Sequence, residues 1–109
     1  MTRLPPALAA RATAEVLGLL PPPPAHVLEL GFAGIHAEPL RLAGYEVTVV
    51  EPDPAHTAQA RARAGEASVA VPEGASYDAV LAPDGLAAPP APVLIRVGHD
   101  GSVWRSTST

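Results

Sequence analysis

Leu8, Ala12, Val16 and Leu20 recur four apart, which lays one apolar stripe along a helix that starts at Pro5 and Pro6 and is stopped by Pro21. Pro21 to Pro24 then form a stiff extended connector. Beyond it the period changes. Residues 26–30, His-Val-Leu-Glu-Leu, are an apolar run ending on Gly31, the form of a parallel strand buried on both faces. A tight turn from Gly31 to Ile35 leads to a short helix over residues 36–43, with Pro39 in its first turn and Gly44 as its cap. Residues 45–50 are rich in β-branched side chains and end on Glu51, which predicts a second strand. Asp53 as N-cap, Pro54 at the first helical position and Gly65 past the end bracket another helix over residues 55–64. Its inner face carries alanine only, so it contributes little apolar area and is expected to be the least stable element.

Residues 67–71, 77–82 and 93–97 are three further strand candidates, and a hairpin turn at His99 to Ser102 leads to an edge strand over residues 103–105. Parallel neighbours normally need a crossover of a dozen or more residues. Here only residues 73–76 separate the first two of these runs and residues 83–92 the last two, so connecting helices have been pared away. The expected architecture is α/β: a minimal Rossmann-like three-layer sandwich, mostly parallel, with an antiparallel C-terminal edge hairpin. It fills one domain over residues 1–109, with the helix and connector in residues 1–24 and a flexible tail in residues 105–109.

Composition narrows the partners. With 17% charged residues and a net charge of -4 there is no basic excess to neutralise phosphates, so nucleic acid is not an expected partner. No cysteine is present, which removes thiolate metal sites and cysteine nucleophiles and fits a cytoplasmic protein. No run approaches the roughly 20 apolar residues that cross a bilayer, and the first twenty residues lack the apolar core of a secretory signal. The histidines at 26, 36, 56 and 99 share no metal-ligand spacing and read as solvated or capping groups, His36 being the one nearest the turn.

The turn after the first strand carries the candidate chemistry. A strand, a glycine-opened turn and a helix start place backbone N–H groups together, an arrangement that favours polar or anionic groups of a cofactor. Glu51, twenty positions after Gly31 at the end of the second strand, stands where nucleoside-binding folds present a carboxylate to ribose hydroxyls.

Through Val27-Leu-Glu-Leu-Gly31, Val47-Thr-Val-Val-Glu51-Pro-Asp and Tyr77-Asp-Ala-Val-Leu-Ala-Pro83-Asp, in that order, the chain resembles class I S-adenosylmethionine-dependent methyltransferases. The likeness runs from Ala25 to Leu86. It implies that Glu29, Gly31, Phe32, Ala33 and Gly34 lie by the methionine part of S-adenosylmethionine, Glu51 and Pro52 by the ribose, Glu73 near the adenine, and Asp84 at the mouth of the pocket. The chain is also similar to a small archaeal Rossmann-like family of uncharacterised function. It departs from the methyltransferase pattern at Ala33 and Ile35, where that family has glycines, which would narrow or close the pocket. It also ends where methyltransferases continue into the elements that recognise substrate. An NAD site would need glycine at positions 33 and 36, which hold alanine and histidine.

Each of these residues has a plainer role to set beside the sharper one. Gly31 and Gly34 serve any tight β-α-β turn, and Glu29 can be a carboxylate satisfied by turn N–H groups. Asp78 and Asp84 flank a strand without a partner that would make a catalytic pair, so no catalytic residue is assigned. Trp104 reads as a packing anchor, with a homodimer interface as its other use. Two functions follow as expectations: a methyltransferase-like domain that binds S-adenosylmethionine or a related nucleoside at the Gly31 turn, or a non-catalytic Rossmann-like structural or interaction domain that has lost cofactor binding.

Overall fold

The computed structural model describes residues 6–106, with side chains from Arg11 onward. The expected helix start at Pro5 and the last three residues of the expected tail lie outside the described residues. α1 (Pro6–Leu19) is followed by β1 (His26–Leu30), α2 (Ala37–Leu42), β2 (Glu46–Val50), α3 (Pro54–Ala64), β3 (Ala79–Pro83), β4 (Val93–Val97) and β5 (Val103–Ser106). The strands form one sheet in the order β2-β1-β3-β4-β5, parallel except for the antiparallel β4 and β5. Arg105 and Ser106 belong to this last strand, so the regular fold runs further into the expected tail.

Alternation along the strands divides the core in two. Val27, Val47, Val49, Ala79, Leu81, Val93, Ile95 and Val97 face one side, where they cluster with Ala12 and Val16 of α1, Ala37 and Leu40 of α2, and Ala60 and Ala64 of α3. All three helices therefore lie on one face. Leu28, Leu30, Val50, Val80 and Ala82 point the other way, and irregular chain covers them through Val71, Leu86, Ala88 and Ala91. The third layer of the sandwich is coil in place of helix, the structural form of the short connections.

The expected strand over residues 67–71 is a correction. Only Ser68 pairs, in a single parallel bridge with Val50, closed by Ser68 N–H to Val49 O at 3.1 Å and Glu51 N–H to Ser68 O at 2.8 Å. Val69 is 54% exposed, while Ala67 and Val71 pack on opposite core clusters, so the segment wraps the sheet edge and does not run along it as a strand. Counting Ser68 as a vestige, the order reads 3-2-1-4-5-6, that of a doubly wound sheet with its last strand antiparallel.

α3 is bounded as its sequence requires. The Asp53 carboxylate accepts from Ala55 N–H and lies 3.0 Å from His56 Nδ1, Pro54 occupies the first turn, and Gly65 ends the helix at φ +83°. Its buried residues are Thr57, Ala60 and Ala64 alone. Small side chains let it approach so closely that a Cβ on Gly34 would come within 3.1 Å of Ala60 O.

Candidate functional site

β1 and β3 are neighbours whose onward connections run in opposite directions, β1 to β2 and β3 to β4. Their carboxyl ends are the place where open α/β sheets form a ligand crevice. Gly31 and Pro83 flank it. Gly31 N–H donates to Val50 O at 2.9 Å, and the turn then takes left-handed φ values at Gly31 (+84°), Ala33 (+52°) and Gly34 (+76°). Ala33 thus holds, at a cost in strain, a conformation that glycine adopts freely.

Two buried carboxylates staple this turn. Glu51 Oε1 accepts from Ala33 N–H at 2.8 Å, and its Oε2 accepts from Asp53 N–H at 3.0 Å. Glu29 Oε2 accepts from His36 N–H at 2.6 Å. Arg63 of α3 adds a bond from Nη1 to Ala33 O at 3.1 Å. The expectation that Glu29 answers turn N–H groups is met in this geometry. Glu51 sits at the predicted strand end, 4% exposed, with both oxygens engaged by its own chain.

Behind the turn lies a polar pair that the sequence does not announce. His36, expected to be solvated or capping, is 1% exposed, with Nδ1 hydrogen-bonded to Thr13 Oγ1 at 2.6 Å and its ring edge-on to Phe32 at 4.9 Å. Its Nε2 and the Glu29 Oε1 are both buried without a hydrogen-bond partner among the described residues. Burial pushes the Glu29 carboxyl up to about 7, against the pull of His36 N–H and Arg41, and pushes His36 down to about 4. Near neutral pH His36 is uncharged and Glu29 is about half ionised.

The crevice itself is filled. A Cβ placed on Gly31 would meet Leu86 Cδ2 at 2.8 Å and the Pro83 ring at 3.3 Å. Arg96 of β4 holds the filling in place, its Nη1 donating to Pro83 O at 2.8 Å and to Leu86 O at 2.5 Å. Sequence reasoning did not single out Leu86 or Arg96. The one signal for them was an arginine inside the apolar run Val-Leu-Ile-Arg-Val.

The other predicted residues scatter. Gly34 and Phe32 belong to the turn, Pro52 is exposed beside Glu51, and Asp84 is exposed above Pro83 with its N–H on Val97 O. Glu73 is exposed in the coil leading into β3, and no hydrogen bond joins it to the crevice residues. Trp104 is 38% exposed on β5, opposite Arg96 in register, so it packs only in part. A groove of about 110 Å³ lies elsewhere, on the outer edge of β2, where Arg41 bridges Ala64 O and Val47 O. Among the described residues no three His, Cys, Asp or Glu side chains gather to hold a metal ion, and no helix is long and apolar enough to cross a membrane.

No protein-family model matches the chain, and none of the curated proteins is significantly similar to it. A crystal structure of a functionally unknown protein from Deinococcus radiodurans R1 is similar to it, with a TM-score of 0.57 and 24% identity over 89% of this chain. The chain spans 55% of that protein's length. At this identity the likeness shows the fold alone.

Proposed function

We propose that this chain is a non-catalytic Rossmann-like domain, structural or interaction-mediating, in which the nucleoside crevice of a methyltransferase-type fold has been closed by the chain's own β3–β4 turn. The observation that carries this reading is Leu86 seated over Gly31, held there by the Arg96 guanidinium. The carboxylates agree with it. Glu29 and Glu51, the acids that a cofactor site would use, serve the turn's own N–H groups. What such a domain offers to a partner is its open edge, β5, with Trp104 and Arg105 exposed. Calorimetry with S-adenosylmethionine and S-adenosylhomocysteine tests the reading, with no binding expected at millimolar ligand for wild type or Glu51→Ala.

The second reading, a domain that binds S-adenosylmethionine or a related nucleoside, is favoured by one observation: Gly31, Glu51 and Pro83 converge at the carboxyl ends of adjacent strands, at the switch point. Submillimolar binding by wild type, weakened in Glu51→Ala by roughly 1–3 kcal/mol for lost charged hydrogen bonds, would establish it in place of the first.

A further inference from the structure

We propose that the open edge of β5 is a self-association surface: a second copy of this chain pairs with it antiparallel about a two-fold axis at Trp104, joining the two sheets into one. The inference rests on the reading of this chain as an interaction domain and names its partner.

The backbone sets which atoms are on offer. Gly98 N–H donates to Ser102 O at 2.8 Å, which makes these residues a hydrogen-bonded pair at the start of the β4–β5 ladder. Along the register Val97↔Val103, Arg96↔Trp104, Ile95↔Arg105 and Leu94↔Ser106 the pairs then alternate, so Trp104 and Ser106 turn their N–H and C=O groups toward β4. Val103 and Arg105 turn theirs outward, where no strand lies beyond β5 among the described residues. Donors and acceptors two residues apart on an open edge are what another strand fills, and an identical strand carries the same set.

The side chains choose the register. A two-fold axis perpendicular to the sheet keeps α1 and its copy on the same face and passes through a residue paired with itself. At Arg105 the axis would set two guanidinium groups directly opposite each other, which is destabilising. At Val103 it would run each strand into the 98–102 turn of the other and leave Trp104 opposite Ser102 of the copy. At Trp104 each Val103 exchanges N–H and C=O with Arg105 of the copy, and the two indoles meet as a non-hydrogen-bonded pair, the closer kind. That contact covers a ring which the single chain leaves 38% exposed. Charge runs the same way. Each β5 has the exposed Arg105 toward its carboxyl end and the exposed Asp100 in the turn before its start, so antiparallel pairing turns the basic end of one strand toward the acidic turn of the other.

Sedimentation velocity of the full chain, over concentrations reaching about 1 mM, is expected to show a reversible dimer. Its dissociation constant should be on the order of 100 µM, because one short edge lies at the small end of specific interfaces. Arg105→Pro removes an N–H that faces away from β4 and leaves the β4–β5 ladder intact. It is expected to weaken the dimer at least about tenfold with an unchanged circular dichroism spectrum. The chain has no cysteine, so Trp104→Cys and Arg105→Cys read the register under mild oxidation. Position 104 faces itself across the axis and cross-links, whereas the two copies of position 105 stand roughly 8 Å apart, beyond disulfide reach. A chain that stays monomeric at about 1 mM overturns self-pairing and leaves the non-catalytic reading standing; that reading fails separately, on S-adenosylmethionine binding in calorimetry. A dimer that Arg105→Pro does not weaken, or that cross-links through position 105 and not through 104, overturns this pairing. Species larger than a dimer overturn the closed two-fold.

Discussion

Glu29 and His36 place two ionisable groups with opposite displacements side by side, and their opposed linkage makes a sharp prediction about stability against pH. Glu29 has its carboxyl raised from 4.5 to about 7 by burial, and His36 is lowered from 6.5 to about 4. Below pH 4.5 Glu29 is protonated in both folded and unfolded chains. As pH rises from 4.5 to about 7 the unfolded chain releases this proton first, so stability falls. His36 works the other way: as pH falls from 6.5 to about 4 the unfolded chain takes up a proton that the folded chain refuses. Each group alone carries about 3 kcal/mol across its window, since every tenfold change in proton affinity is worth about 1.4 kcal/mol. Between pH 4.5 and 6.5 the two slopes cancel, so this pair leaves wild type nearly level. Glu29→Gln keeps an acceptor for His36 N–H and removes one slope. Its stability relative to wild type should therefore rise by about 3 kcal/mol between pH 4.5 and 7. The assay is urea denaturation by circular dichroism at half-unit pH steps, with m-values compared to exclude a change in the unfolded state. A difference curve that stays flat across this window would refute the assignment of Glu29 as a buried acid held protonated.

Ala33→Gly should stabilise the fold by about 1 kcal/mol, because the strain of alanine at φ +52° exceeds the entropy that glycine adds to the unfolded chain. A lower urea midpoint in this variant would show that the strain is absent. Asp53→Ala should cost about 1 kcal/mol through loss of the α3 cap, read from the same titration. Gly31→Ala should destabilise through its Cβ, 2.8 Å from Leu86 Cδ2, and through its φ of +84°. In a double-mutant cycle Leu86→Ala should recover the contact part and leave the backbone part, whereas strict additivity would mean that Leu86 does not press on Gly31.

The strands and α3 were legible because their causes are local. Val47 to Val50 are β-branched or apolar in alternation with the ladder, and Asp53, Pro54 and Gly65 carry their cap chemistry in their own side chains and φ angles. Residues 67–71 also alternate small and β-branched side chains, yet a strand needs a covered face, and whether one exists depends on what lies across it. The coil layer was legible only as an absence, from connections too short for helices. Glu29 was readable as a charge in a buried run. His36 was not, because its partner Thr13 stands 23 residues earlier on a helix whose docking no local pattern fixes.

The candidate site shows why motif and function separate here. Glu29, Gly31 and Glu51 lie at or near the carboxyl ends of β1 and β2, and the backbone from Gly31 to Gly34 makes a tight turn with left-handed φ values. A carboxylate that can accept from a ribose hydroxyl can as well accept from Ala33 N–H, and Glu51 does the latter. A glycine that lets a ligand approach a backbone also lets a leucine approach it, and Leu86 does. The same residues therefore make a self-contained turn. Arg96, which lies outside every segment of the resemblance, ties the turn down through the carbonyl oxygens of Pro83 and Leu86. The filling of the Gly31 turn is held by a residue on β4, which no local pattern around the turn could announce.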